Sequence, residues 1–339
     1  MLTGGAGRCA LRFDPVHDRS GYSGVPSHEV VRVAVIANPV ASQFTGGSHR
    51  DVMSILSGTH EVDALWPSTA TEAAEMAAKA AADEVEVVVA MGGDGMVHHV
   101  AQGVVGTGTA LGIIPAGTTN VIARLLGIPS RHGKAARLIN RIPFPRAIGV
   151  ARMTLSRGTV ETVHHAIFAC GVGLDAEVVA RADQDPYRKY RFGSIHYFRT
   201  AVGVAMGSFS RIKPQVEAKA GERTTMVSTA LVQFREVYTY FGKLPIRLAA
   251  SPPQPMTVLT LDRLRRSRVP QVAFDALSGR DLSRIKGAEV WEEVDRLSLK
   301  ADPPAAAQAD GEGLGMFEMA TIEWVPSALR AIAGEQPPG

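Results

Sequence analysis

Ala90–His99 reads AMGGDGMVHH, and the fold turns on it. Glycines 92, 93 and 95 surround one aspartate, Asp94. A run of β-branched residues, VEVVV (Val85–Val89), leads in, and an apolar stretch carrying His98 and His99 leads out. A buried strand that stops on glycine and reopens as a helix is half of a βαβ unit. Glycine lets the main chain come close to a ligand. The loop N–H groups, with the N-terminus of the helix behind them, then make a cradle for phosphate.

The same alternation continues on both sides. VRVAVIA (Val31–Ala37) reads as a strand ending at Asn38-Pro39, and DVMSILSG (Asp51–Gly58) as a helix with a glycine stop. TATEAAEMAAKAAAD (Thr69–Asp83) is an alanine-rich helix with Thr and Ser at its start. VHHVAQGVV (Val97–Val105) is helical, ALGIIP (Ala110–Pro115) is a strand, and NVIARLLG (Asn120–Gly127) is a further helix. This order predicts a parallel sheet with helices on both faces.

After about residue 146 the texture changes to short alternating runs separated by turn residues. ARMTLSR (151–157), VHHAIFACG (163–171), QVEAKA (215–220), TMVSTALVQF (225–234), PIRLAAS (245–251), TVLTLDRL (257–264) and EVDRLSLKA (293–301) predict an antiparallel β region. One helical stretch, residues 193–209, interrupts it.

Composition sets the bounds. The chain has 339 residues, 45% hydrophobic and 20% charged, which suits two soluble globular domains rather than disorder. No uncharged apolar run approaches the roughly 18 residues of a membrane span. Residues 1–29, rich in Gly, Pro and Ser, read as a disordered extension without a signal-peptide core. Two cysteines, Cys9 and Cys170, give neither a disulfide framework nor a metal knuckle. A net charge of +3 points to no partner by itself.

Three loops follow the three expected parallel strands: NPVAS (Asn38–Ser42), GGDG (Gly92–Gly95) and PAGTTN (Pro115–Asn120). Ligands of open α/β sheets bind at this carboxyl edge. Thr118 and Thr119 add hydroxyls, and Asn120 can bond a base, a ribose or a neighbouring loop. Asp94 is the odd member, because a carboxylate beside phosphates is repulsive unless Mg²⁺ or a ligand hydroxyl lies between. That arrangement suits phosphoryl transfer. There is no GxxxxGK[ST] and no GxGxxG after the first strand, so neither a P-loop NTPase nor a dinucleotide-binding Rossmann fold is expected.

In these motifs the sequence resembles the bacterial diacylglycerol kinase and related lipid kinases, relatives of the sphingosine and ceramide kinases. NPVAS is similar to that family's NPxSG, GGDGMVHHVAQG to its GGDGTxNEVxNG, and IIPAGTTNVIARLLGIP to its PxGTxNDxAR segment. GVGLDA (171–176), TYFGKLPIRL, QADGEGLG (308–315) and VPSAL extend the resemblance from about Val31 to about Leu329.

The resemblance implies an N-terminal three-layer α/β nucleotide-binding domain over residues 30–146 and a C-terminal antiparallel β-sandwich lipid-substrate domain over 147–316. Residues 317–334 would return to the first. It implies ATP and Mg²⁺, with a lipid hydroxyl, most simply that of diacylglycerol, as acceptor. Carried over residue by residue, nucleotide contacts fall on Asn38, Pro39, Val40, Ala41, Ser42, Ser68, Gly92, Gly93, Asp94, Gly95, Met96, Val97, His98 and Thr118. The general base falls on Glu312, with Asp94 as its catalytic companion. Without the resemblance, DGEG reads as a turn between strands. A lipid at the membrane surface is the implied partner of a cytoplasmic, peripherally membrane-associated protein. A homodimer is allowed and no nucleic acid is expected.

The chain departs from the pattern at definite places. The family's threonine of GGDGT is Met96, and its GTxND aspartate is Val121. The aspartate of its VDxG strand falls on Gly149, and no acid stands near Pro253 or Thr257. In the family those acids serve an Asp–Mg²⁺–water network. Asp94, Asp310 and Glu312 are left to handle metal. A catalytically silent lipid- or nucleotide-binding protein, or an NAD kinase, is the alternative.

Two histidine pairs and two basic clusters complete the reading. His98 and His99 point about 100° apart on a helix, so they do not chelate one metal. His164-His165 lie on an alternating strand, with one expected to face solvent. PYRKYRFGSIHYFR (186–199) mixes cations and aromatics, a pattern open to stacking on nucleic acid or to packed rings with solvated charges. In a lipid kinase, as the resemblance implies, it would dock at an anionic membrane surface, with DRLRRSR (262–268) a solvated face that assists.

Overall fold

The computed structural model describes residues 30–141, 145–173, 176, 215–242, 244–248, 255–262, 271, 274–275, 278, 285 and 287–334. The N-terminal extension, the whole of the stretch 193–209 expected to be helical, the basic-aromatic segment, nearly all of DRLRRSR, Cys9 and Pro253 lie outside the described residues.

In chain order the first half is β1 (Arg32–Ala37), α1 (Gly46–Ser57), β2 (Glu61–Leu65), α2 (Ala70–Ala82), β3 (Val87–Gly92), α3 (Asp94–Val104), β4 (Ala110–Pro115), α4 (Val121–Leu125) and α5 (His132–Asn140). There follow β5 (Arg146–Arg157), β6 (Val160–Ala166), β7 (Ala169–Gly173), β8 (Val216–Ala220), β9 (Arg223–Val227), β10 (Thr229–Gln233), β11 (Thr239–Phe241) and β12 (Leu244–Ile246). β13 (Thr257–Leu261), β14 (Ala288–Trp291), β15 (Arg296–Ala309) and β16 (Glu312–Ala331) complete the chain.

The strands β2, β1, β3 and β4 lie side by side, all parallel. From β1 the chain steps outward to β2, then crosses back over β1 to β3. Right-handed crossovers therefore place α1 and α2 on opposite faces. The reversal makes a switch point between β1 and β3, the place where open α/β sheets bind ligands. Helix starts follow from sequence. Thr45 and Ser48 form a reciprocal capping box at α1, each hydroxyl accepting the other's N–H at 3.0 Å. Thr69 caps α2 by accepting from Glu72 N at 3.1 Å.

β16 joins the two halves of the molecule. Its end pairs in parallel with β4 through Arg330 and Ala331, and most of its length pairs antiparallel with β5 and β15. β15 pairs in turn with β7 and β8, and β7 with β10. The architecture is thus a parallel α/β unit continued by an antiparallel strand-rich region, the class read from the sequence. One core gathers Ile36, Val89, Ile113, Leu56, Ala77 and Val100 between sheet and helices. A second gathers Met153, Val172, Leu297 and Phe317 among the antiparallel strands. Each large aliphatic or aromatic side chain so buried contributes about 1.5–3 kcal/mol.

Several local features differ from the sequence reading. β2 was not expected, because EVDAL is an edge strand with half-exposed, charged positions and no apolar run. α5 was hidden by its polar sequence, HGKAARLIN. VHHAIFACG is two strands, broken where the amides of Ile167 and Phe168 turn to another partner. TMVSTALVQF breaks at Ser228 into β9 and β10. His164 and His165 are both half-buried rather than one facing solvent.

Candidate active site

The loops after β1, β3 and β4 are tied to one another by main-chain bonds. Asn38 N donates to Met91 O at 3.0 Å, Gln43 N to Ala116 O at 2.9 Å, and Ala116 N to Gly92 O at 2.8 Å. Side chains add to this. Asn38 Oδ1 accepts from Val40 N at 3.0 Å, and the hydroxyls of Ser42 and Thr118 lie 3.2 Å apart. Asn120 folds back on Gly117 with bonds of 2.8 and 2.9 Å. The GGDG and PAGTTN loops touch backbone to backbone, since a Cβ on Gly117 would lie 2.5 Å from Gly93 Cα. Only glycine fits there.

Pro39, Val40 and Thr118 are exposed on this rim, while Asn38, Ala41 and Ser42 are half-buried. Ser68, in the loop after β2, is exposed on the outer part of the same carboxyl edge. Its N–H donates to Glu72 Oε2 at 2.6 Å. Gly93 is the N-cap of α3 and has no side chain to offer, so the first amides of that helix face the rim. Met96 packs back toward Gly92, where a Cβ would lie 2.6 Å from its own, and gives the loop no hydroxyl. Val97 is buried in the core at 2% exposure, leaving only its backbone near the loop.

His98 does something other than meet a nucleotide. Its ring is 1% exposed, which removes it from contact with any ligand in the cleft. Its Nδ1 lies 2.9 Å from Asp310 Oδ2 and donates to it, a contact between residues 212 apart in sequence. Gln102 Nε2 donates to His98 O at 3.2 Å and to His165 O at 2.8 Å, pinning α3 to β6.

Asp310 is the hub of this buried network. Its carboxylate also accepts from Ile167 N at 2.8 Å, Phe168 N at 2.9 Å and Ala169 N at 3.3 Å. With its oxygens committed to backbone amides and His98, Asp310 has no capacity left for a metal. The expectation that it handles metal gives way to a structural role.

Asp310 and Gly311 both have positive φ, 54° and 84°, and Ala309 pairs with Glu312 across the turn. This two-residue Asp-Gly hairpin fits the type I′ geometry that Asp-Gly favours. It points the next residue, Glu312, at α3. A Cβ on Gly95 would lie 2.3 Å from Glu312 Oε1, so the carboxylate fills the space a side chain at 95 would need. His99 Nε2 lies 3.8 Å from Glu312 Oε2, with both side chains about a quarter exposed. Anionic groups are favoured at this end of a helix.

Asp94 stands between these groups. Its Oδ1 accepts from Ile122 N at 3.0 Å, capping α4 from another helix. Burial raises its pKa from 3.8 to about 6, the amides of Val121 and Ile122 oppose the shift, and the charges of Asp310 and Glu312 add to it. Burial also lowers the pKa of His164, with His98 and His99 adding.

A group whose pKa is higher in the fold than unfolded favours the protonated fold. The stability Asp94 supplies is complete below about pH 4 and is lost as pH rises through 6. Relative to the parent, Asp94→Asn should therefore gain about 1–3 kcal/mol between pH 4.5 and 7 without metal. Urea midpoints at the two pH values measure it; a constant difference would contradict the shift.

A model of the diacylglycerol kinase catalytic domain matches residues 32–151, which include the strand-end loops described above. Over these residues the chain is similar to the diacylglycerol kinase-like lipid kinases. It is 29% identical over 224 residues to a diacylglycerol kinase of Mycobacterium tuberculosis (strain CDC 1551 / Oshkosh), covering 65% of this chain and 69% of that one. It is 32% identical over 124 residues to a diacylglycerol kinase of Bacillus subtilis (strain 168), covering 35% and 41%. A solved diacylglycerol kinase from Bacillus anthracis str. Sterne shares the fold, with a TM-score of 0.63 at 17% identity over 91% of this chain and 99% of that one. No helix among the described residues is long and apolar enough to cross a membrane.

Proposed function

We propose that this lipid kinase transfers the γ-phosphate of ATP to the hydroxyl of diacylglycerol at a membrane surface, with Mg²⁺ accompanying the nucleotide. One observation carries the reading: the Glu312 carboxylate lies against Gly95 in the first turn of α3. A phosphate cradle and a candidate base therefore share one edge, although they come from opposite ends of the chain.

Each group has a task in this reading. The amides of the GGDG loop and the α3 N-terminus hold the phosphates, with Thr118 and Ser42 beside them. Glu312 takes the proton of the lipid hydroxyl as its oxygen bonds to the γ-phosphorus. The bond from that phosphorus to the bridging oxygen breaks, and ADP leaves. Mg²⁺, when bound with ATP, supplies neutralisation of phosphate charge. The donor chemistry fits: Asp94 is a hard oxygen ligand whose ionised form is disfavoured by burial and by two neighbouring carboxylates, and a cation would relieve this. No group of three or more metal-ligating side chains occurs among the described residues, so the phosphates would complete the coordination.

Gly95→Ala separates this reading from a purely structural one. Ala is favoured over Gly in a helix by about 1 kcal/mol, so the melting temperature should hold or rise. Its methyl group displaces the Glu312 carboxylate, so turnover should fall on the order of tenfold or more. Unchanged turnover would remove the contact from the mechanism.

The reading itself is tested by incubating the full chain with γ-labelled ATP, Mg²⁺ and vesicles bearing a lipid panel. Label is expected in phosphatidic acid from diacylglycerol. Binding of ATP with no labelled lipid across the panel would leave a silent nucleotide-binding protein instead.

A further inference from the structure

The resemblance implies an Asp–Mg²⁺–water network built on acids at positions 121, 149 and 253–257. The residues present do not fit one. Val121 is a buried apolar side chain at 4% exposure, and Thr257 is buried within β13. Gly149 has no room for any side chain, because a Cβ there would lie 2.2 Å from Trp324 Cζ2.

A different cation occupies this neighbourhood. Arg235 Nη2 donates to the carbonyl of Gly149 at 2.6 Å, and its Nε donates to the carbonyl of Ile167 at 3.1 Å. The Ile167 carbonyl and the Phe168 amide belong to one peptide unit. Arg235 therefore holds one end of that unit, and Asp310 holds the other, accepting from Phe168 N at 2.9 Å. A peptide dipole is clamped between a cation at its oxygen and an anion at its nitrogen, the favourable sense.

We propose that Arg235 is the built-in cation of this site and a positioning residue for Glu312. It fixes the peptide that grips Asp310, and Asp310 fixes the turn that presents the base. The positioning half rests on Glu312 being the base; the cation half does not. Burial lowers the pKa of the guanidinium, while Asp310 and Glu236 are the acids that offset the shift. Trp324 closes the other side and packs on Phe234 at 5.6 Å between ring centres.

The test uses the full chain without nucleotide. The parent should melt at one temperature in EDTA and in Mg²⁺. Arg235→Met should melt roughly 3–6 °C lower, with no recovery in Mg²⁺. Hydrogen exchange at Ile167, Phe168 and Ala169 should quicken at least tenfold. Arg235→Lys keeps charge without the fork, should recover part of both losses, and serves if the Met variant does not fold. With labelled ATP and lipid, both variants should lose turnover while the KM for ATP stays within about twofold.

A parent destabilised by EDTA, or an Arg235→Met variant rescued by Mg²⁺, would overturn the cation claim whether or not the chain phosphorylates lipid. Parental exchange at 167–169, or parental turnover in an active enzyme, would overturn the positioning claim. Loss of turnover in Arg235→Met beside parental turnover in Glu312→Gln would place the failure in the reading of Glu312 instead.

Discussion

Glu312→Gln should lower phosphate transfer by about 10²–10⁴ and leave ATP affinity within about twofold. Glutamine keeps the shape of the side chain and its contact with Gly95 but cannot take a proton. In the proposed reading the phosphates are held by backbone amides and the Thr118 side, none of which the substitution changes. Steady-state kinetics on diacylglycerol vesicles, with ATP affinity measured separately, check both halves. Turnover near the parental value would remove Glu312 from the chemistry. A loss confined to ATP affinity would instead make it a phosphate-loop residue.

The largest effect on stability is expected at Asp310. Its carboxylate accepts from three backbone amides and from His98, all buried. Asp310→Ala leaves those donors without an acceptor and should cost about 3–5 kcal/mol. Asp310→Asn returns one acceptor oxygen but turns an amide toward donors, so it should recover only part of the loss. Denaturant midpoints of both variants against the parent measure this. An Ala variant within about 1 kcal/mol of the parent would show that the amides find other partners and that the turn is not held here.

The two roles of the DGE segment explain what the sequence could tell. Asp-Gly is legible as a tight hairpin, because both positions adopt positive φ. The parallel strands, their glycine-ended loops and the alanine-rich α2 were legible for the same kind of reason: local periodicity and punctuation decide them. β2 was not, since an edge strand needs little apolar surface. The partner of Asp310 was not legible either. It is the backbone of Ile167–Ala169, and an amide leaves no mark on the residue that carries it. His98 misled because its place beside GGDG suggests a ligand, whereas burial turns its ring inward. Arg235 carries no motif, and its use of the Gly149 and Ile167 carbonyls appears only once β5, β7 and β10 lie together. Gly149 showed a missing acid; it could not show that Trp324 fills the space.

Nucleotide phosphates and the candidate base are proposed to share one edge, and hydrogen exchange of the full chain with and without ATP and Mg²⁺ tests that most directly. Exchange should slow at Ala41–Ser42, at Gly93–Met96 and at Gly117–Thr119, with a smaller slowing at Gly311–Gly313. Slowing confined to other segments, or none at ATP concentrations that support transfer of phosphate to lipid, would contradict it.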